Sequence, residues 1–393
     1  MLNTPFLTIR TYLKKNKLIY LIYGYFQTRK MLNIYSKIVQ FYSVKTQALS
    51  NNAMLNNKGL NRLWVNRFNN RKPVIYWVGN DEHQDNSGFL QSLSKISKVY
   101  VFSNKEEYGQ FWNHKPSEFE KRNEQSLKLY NDINILEEKV DILLMQTWGF
   151  RIDVGVIDKI KREFGCKFIN IGMDEKHTYW VNGIPEYGTY GLKGVVDLAL
   201  TSIPEAVNWY KKEGIPSFFF PEASDKNFFF PVNIQKRYDI GMVGGNYGIR
   251  SEIVKALVRS GFKVKVYGDG WPNGRIGLKS INDFYNQCKI VLGVGTVGYS
   301  NSFCSLKLRD FDVPMSGAFY LTSYCDDLLT LYIDDEEVVM YHSIKDLIKK
   351  CEYYLKNEDT RNCIAKKSYI RAVENHTYDK RISDLIKKIR YVH

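Results

Sequence analysis

Two stretches of the chain combine glycine turns with cations in a way that suits an anionic ligand. In VGGNYGIR an apolar run ends at Val243, and Gly244, Gly245 and Gly248 lead into a helix with Arg250 in its first turn. Such a turn offers unpaired backbone N–H groups and the positive end of a helix dipole, a natural seat for a diphosphate. A tight turn with a surface arginine is the plainer alternative. In SLKLRDFDVPMSG, Ser305 to Gly317, the spacing puts Lys307, Arg309 and Asp312 on one helix, which Pro314 should break early and Gly317 should end. Cations beside an anion and a carboxylate accepting two ribose hydroxyls would hold a nucleoside diphosphate. A solvated helix face accounts for that spacing equally well.

Carboxylates and a histidine in the first half suit proton chemistry instead. Asp81 follows VIYWVG, while Asp174 and His177 follow KFINIG in GMDEKH. Open α/β sheets bind ligands at such strand ends, where either site can supply a general base or an orienting group for a hydroxyl. Solvated turns are the alternative for both. GVGTVG, Gly293 to Gly298, is a literal G-x-G-x-x-G, but it follows at least two strands of its domain and runs into Tyr299, Ser300 and Asn301. It reads as a cleft loop, not a dinucleotide site. The acid groups Asp326-Asp327 and Asp334 to Glu337 read as surface charge, His376 as a structural cap, and Trp271 as either base pocket or core. The six cysteines form no C-x-x-C pair and have no histidine at zinc spacing, so free thiols, no metal and a reducing, cytoplasmic setting are expected.

These candidates need strands and helices to hold them. From Lys72, VIYWVG, KVYVFS, VDILLMQ, KFINIG and VVDLALTS read as buried strands alternating with helices; from Arg237, RYDIGMV, KVKVYG, KIVLGV and AFYLT do the same. Repeated alternation indicates a parallel sheet with helices on both faces. SFFFPEASDKNFFFPV, with two prolines, reads as a connector. The expected fold is α/β: two doubly wound Rossmann-like domains facing a cleft. Residues 1–72 form an arm and linker, 73–216 the first domain, 217–232 the connector and 233–393 the second domain, ending in three helices at 343–356, 358–374 and 378–390. Thirteen of 27 glycines fall between 237 and 317, so close backbone approach to a ligand belongs to the second domain.

The chain has 393 residues, 44% hydrophobic and 25% charged, an ordinary globular balance that excludes disorder. Its net charge of +14 is concentrated at one end: residues 1–80 hold 13 Lys or Arg and no acid, and the rest carries 43 basic against 42 acidic groups. LIYLIYGYF, Leu18 to Phe26, is about half the length a membrane-crossing helix needs. Residues 1–50 therefore read as a basic amphipathic helical arm. Docking on the body, contact with an anionic membrane surface on its inner, cytoplasmic face, nonspecific nucleic-acid contact and a transit peptide are the open readings; no specific nucleic acid is expected as a partner.

RDFDVPMSGAFYLTSY and the segment from DLLTLY to HTYDKR resemble the carboxy-terminal domain of group 1 glycosyltransferases, in particular those similar to the spore maturation protein CgeB. Arg309, Phe311, Gly317, Asp346, Leu347, His376, Thr377 and Arg381 match in order and spacing. DIGMVGGNYGIR and VYGDGW, with Gly268, resemble that family's opening strand and second turn, and FFFPEASDKNFFFP its interdomain connector. The resemblance implies the two-domain GT-B fold and a metal-independent, retaining transfer of a hexose. A nucleoside-diphosphate sugar would be the co-substrate, no cofactor would be needed, and the acceptor would be a hydroxyl on a glycan, lipid-linked carrier or protein. It implies Arg309 on the diphosphate and Asp312 in place of the Glu that holds the ribose. The family's further acid would fall at Cys304. These two departures keep open a catalytically inactive scaffold, or a polyanion-binding protein that uses the basic arm.

Overall fold

The computed structural model describes residues 17–48, 71–79, 82–102, 119–300 and 302–391. Its first element is a long helix, α1 (Lys17–Ala48). Gly24, Thr28, Tyr35, Ile38 and Tyr42 recur at helical spacing, and this face lies against the body. The Tyr42 hydroxyl donates to Glu213 Oε1 at 3.0 Å and lies 3.0 Å from that of Tyr179. Tyr35 donates to Glu205 Oε1 at 2.7 Å and packs its ring on Phe303. Further along, Tyr299 N donates to Thr28 Oγ1 at 2.9 Å. The helix thus touches both halves of the protein. It is not amphipathic in the expected sense, because apolar side chains also occupy its outer face. Among the described residues no helix is long and apolar enough to cross a membrane.

Uninterrupted apolar runs form the central strands of the first sheet, buried on both faces, whereas Lys98–Val101, also expected to be buried, lies at the sheet edge and is partly exposed. The first sheet contains β1 (Val74–Val78), β2 (Lys98–Val101), β3 (Ile142–Met145), β4 (Lys167–Gly172), β5 (Leu198–Thr201) and β6 (Ser217–Phe219), all parallel in the order β2-β1-β3-β4-β5-β6. Packed around it are α2 (Leu90–Ile96), α3 (Phe119–Asn134), α4 (Val154–Phe164), the short α5 (Glu175–Thr178) and α6 (Pro204–Lys212). Asp153 caps α4 by accepting from Gly155 N, and Gly165 ends it in the left-handed conformation. The second sheet contains β7 (Tyr238–Val243), β8 (Val264–Tyr267), β9 (Cys288–Leu292), β10 (Tyr320–Ser323) and β11 (Val339–Tyr341), parallel in the order β11-β10-β9-β7-β8. Its helices are α7 (Arg250–Arg259), α8 (Leu278–Gln287), α9 (Arg309–Met315), α10 (Ile344–Lys356) and α11 (Glu358–Asn375).

The sequence reading places most of these elements and misses two short edge strands. β6 is the SFF of the segment read as pure connector; Phe220 N donates back to Thr201 O, so the crossing begins only there. β11 lies within a stretch too short and too acidic to read as a strand. The last helix, α12 (Tyr378–Tyr391), returns to the first sheet, where Tyr378 and Ile382 join Ile75, Phe89, Leu93 and Leu144 in one core. Each such fully buried apolar side chain contributes roughly 1.5–3 kcal/mol. The outgoing connector and this return path run side by side: Ser224 N donates to His376 O at 2.9 Å, and Tyr378 N donates to Ser224 O at 3.0 Å.

Tyr42→Phe keeps the ring stacked on Trp209 but removes a buried O–H from the Tyr179 and Glu213 contacts. Leaving buried acceptors unmatched should cost about 1–3 kcal/mol in urea denaturation. An unchanged midpoint would show that α1 docks without these bonds.

Candidate active site

In the second sheet the chain passes from β7 to β8 on one side and then to β9 on the other. The crevice between β7 and β9, at their carboxyl ends, is the topological switch point where such sheets bind ligands. Gly244 and Gly245 follow β7 there, and Val294 follows β9. Gly268, at φ +139°, lets the second turn press onto the first: a Cβ on it would lie 2.4 Å from Gly244 C and O. That approach fixes the Gly244-Gly245 turn, and Trp271 Nε1 donates to Gly244 O at 2.8 Å. Trp271 packs beside the second core while holding this turn.

Both arginines converge on the turn. Arg250 is buried, with Nη1 donating to Gly245 O and Nη2 to Val294 O, each at 3.0 Å. Arg309 Nη2 donates to the same Val294 O at 3.2 Å. A methyl group placed on Gly244 would meet Arg309 Nη1 at 2.7 Å and Arg250 Nη1 at 3.2 Å, so both guanidinium groups border one small volume. Among the described residues neither forms an ion pair, and the Nε of each is buried without a hydrogen-bond partner. Burial, and after it the charge of Arg309, lowers the Arg250 pKa to about 10. Tyr247 lies over the Arg250 guanidinium, 4.0 Å from ring centroid to Cζ. Two like charges held together with no ion-pair partner among the described residues suit a compact anion.

Lys307 is not on the helix with Arg309. Asp310 Oδ2 accepts from Lys307 N at 2.7 Å, which makes the turn that opens α9, and so leaves Lys307 before it. Its Nζ crosses to the first domain and meets Asp174 Oδ1 at 2.9 Å; Ser305 Oγ donates to the same oxygen at 3.0 Å. Burial would raise the Asp174 carboxyl, but Lys307 and His177 hold it below the usual range. His177 has its Nδ1 buried without a partner, and burial lowers its pKa. Asp174 and His177 of the first domain therefore face Lys307 of the second across the cleft. Asp81 lies outside the described residues.

Asp312 is buried on α9, and its Oδ1 accepts from Ser224 Oγ at 2.7 Å. Burial pushes its pKa well above the ordinary carboxylate range, against the pull of that hydroxyl. Cys304, where the resemblance would put a further acid, is a buried thiol beside Cys325. Asp327 is not surface charge: it is buried and paired across the cleft with Lys176 at 2.7 Å. Glu337 likewise accepts from Ile333 N and Arg371 inside the second domain. His376 caps α11, and its Nε2 lies 3.2 Å from Leu331 O. Among the described residues no group of His, Cys, Asp and Glu is arranged to hold a metal ion.

Sequence reasoning overlooked two carboxyls. Glu222, in the connector, is buried with Oε2 unpartnered, and its pKa rises to about 7 through burial, partly opposed by Lys307. Glu175, next to Asp174, is fully buried, with its pKa raised to about 8 mainly by burial. An acid directly after Phe-Phe-Phe-Pro was the available signal for Glu222; Glu175 gave none.

Two parallel Rossmann-like sheets facing a cleft, with the last helix crossing back, make the GT-B fold. A glycosyl transferase-like family matches residues 250–387, roughly a third of the chain. No curated protein sequence matches. Among solved structures, HepE from Anabaena, determined with UDP-glucose, superposes with a TM-score of 0.60 at 9% identity, covering 80% of this chain and 99% of that one. Sucrose-phosphate synthase from Thermosynechococcus elongatus gives 0.59 at 11% identity, covering 81% and 98%. A glycosyltransferase from Rickettsia africae gives 0.58 at 10%, covering 82% and 98%. At these identities the likeness establishes the fold.

The raised carboxyls make stability depend on pH. Glu175 holds its proton to higher pH when folded than when unfolded, so its contribution is fully present below its ordinary 4.5 and is lost as pH rises through about 8. Glu222 acts in the same sense up to about 7. The melting temperature of Glu175→Gln should therefore decline less between pH 5 and 8 than that of the unsubstituted protein; parallel curves would refute the assignment.

Proposed function

We propose that the protein is a glycosyltransferase that moves a hexose from a nucleoside-diphosphate sugar to a hydroxyl acceptor. The observation that carries this reading is the pair of arginines, Arg250 and Arg309, facing one volume at the β7/β9 switch point and, among the described residues, forming no ion pair. As the glycosidic bond of the donor breaks, negative charge collects on the departing diphosphate, and fixed donors aimed there lower the barrier. Arg250, Arg309 and the Gly244-Gly245 backbone take that role, and Asp312 with Ser224 faces the ribose. Asp174 and His177 lie on the acceptor side, where they orient the hydroxyl. The match of residues 250–387 to a glycosyl transferase-like family supports the same reading. The finer likeness to CgeB-type members rests on Arg309, Phe311, Gly317, Asp346, Leu347, His376, Thr377 and Arg381. We infer a reaction that retains anomeric configuration, with no metal or other cofactor, in the cytoplasm.

A catalytically inactive scaffold is the competing reading, favoured by the buried Cys304 thiol where the sugar-facing acid would stand. Donor-dependent nucleotide release separates the two, because a scaffold gives none. Calorimetry with UDP-glucose and the corresponding guanosine and adenosine sugars should reveal one binding donor. Arg309→Ala should weaken that binding by about 1.5–3 kcal/mol, the range for a hydrogen bond to a charged group. An intact fold with unchanged affinity would remove Arg309 from the site. Asp312→Asn should also weaken donor binding, and a complex with the ribose far from this side chain would refute its role.

A further inference from the structure

The sequence leaves open what the basic end of the chain meets, and the structure separates the two faces of α1. The inner face is committed: Thr28, Tyr35 and Tyr42 fasten it to both domains. At 100° per residue, the opposite stripe runs through Ile22, Tyr23, Phe26, Arg29, Lys30 and Lys37. Phe26 is 70% exposed, and Ile22 and Tyr23 are each 49% exposed. Arg29, Lys30 and Lys37 are exposed, and among the described residues no carboxylate pairs with them. A contiguous row of large apolar side chains in water is costly unless something covers it.

We propose that this outer face of α1 docks on the surface of an anionic lipid bilayer. Charge complementarity selects that occupant. No acid stands among residues 1–80 to oppose a field of anionic headgroups, while Arg29, Lys30 and Lys37 on this face favour it. The order along the helix also fits: Ile22, Tyr23 and Phe26 lie at the level of the headgroup–acyl boundary, and Arg29, Lys30 and Lys37 reach lipid phosphates beside them. A recess of about 330 Å³ opens between Phe26, Arg29 and Tyr299, beside the docked segment, with space for a headgroup. A second copy of the chain would bring the same cations against each other, and a nucleic acid would leave Ile22 and Phe26 in water. Because Gly298 O accepts from Ile249 N, and Tyr299 N donates to Thr28, docking fixes the donor turn at a set distance from the membrane. Only this last consequence rests on the glycosyltransferase reading; docking itself does not.

The test sediments the full chain with vesicles of phosphatidylcholine alone or with a quarter phosphatidylglycerol, at about 50 and about 500 mM salt. Binding to the anionic vesicles only, lost at high salt, is expected. Replacing Arg29, Lys30 and Lys37 together by Gln should weaken binding about a hundredfold, since each cation near the surface is worth about fivefold. Ile22→Ser with Phe26→Ser should weaken it even at low salt. An unchanged melting temperature in both variants shows that the inner face still holds. Equal binding to both vesicle types, no binding to either, or unaltered binding by the variants would overturn the proposal. So would self-association or nucleic-acid binding that depends on these residues in place of vesicle binding. Nucleotide calorimetry on the same samples reports separately on the donor site, so failure of one reading is not mistaken for failure of the other.

Discussion

The repulsion between Arg250 and Arg309 is the constraint to which the rest of the cleft is fitted. Removing one unpaired charge from water costs several kcal/mol, and placing a second beside it adds to the cost. Among the described residues the chain offsets this without an ion pair, although, against the lowering effect of burial, the charge of Asp310 helps to raise the Arg309 pKa. Gly245 O, just after β7, accepts from Arg250, Val294 O, just after β9, accepts from both guanidinium groups, and the Tyr247 ring covers that of Arg250. Carbonyl dipoles soften the field but carry no net charge, so the volume above Gly244 remains positive. A carboxylate in that position would have stabilised the empty protein and competed with an anionic ligand. The arrangement is consistent with stability given up for binding, and the close approach of Gly268, with Trp271 Nε1 on Gly244 O and Asn246 N donating to Asp269 O, braces the turn that presents Gly244.

The two domains meet through polar contacts placed where the ligand would lie. Lys307 with Asp174 and Lys176 with Asp327 span the cleft, the latter with both side chains only 9% exposed. Such pairs are weak sources of net stability, because desolvation offsets much of their attraction. Their geometric effect is stronger, since a buried pair tolerates little displacement. Behind them, Ser224 combines three roles: its N–H and C=O pair the outgoing connector with the returning chain, and its hydroxyl donates to Asp312. Position of the connector and position of α9 are therefore coupled through one residue.

How much of this the sequence discloses follows from the range of the interactions. Long strands are readable because burial on both faces leaves an unbroken apolar run, and α10 is readable because Ser343 caps it by accepting from Asp346 N. β6 and β11 have three residues each, and their strand character comes from a neighbour, β5 or β10, and not from their own composition. The glycine turn and its arginines were legible because their chemistry is local. Lys307 was misplaced because a helix start depends on which carboxylate takes a backbone N–H, and Asp310 is that carboxylate. Asp327 looked like surface charge because its partner, Lys176, stands in the other domain.

For α1 the division is sharpest. The absence of acid before Asp81 is a property of composition and needs no structure. Which face is committed to the body is not, because apolar and aromatic residues occur all round the helix and periodicity cannot choose between them. Tyr42 finds Glu213 and Tyr35 finds Glu205 across 171 and 170 residues of chain, and such distant contacts tell the inner face from the outer. Both acids belong to the first domain, whereas the Thr28 contact belongs to the second. One helix therefore reads the position of both domains along its length, and its exposed stripe has a fixed orientation relative to the cleft between them.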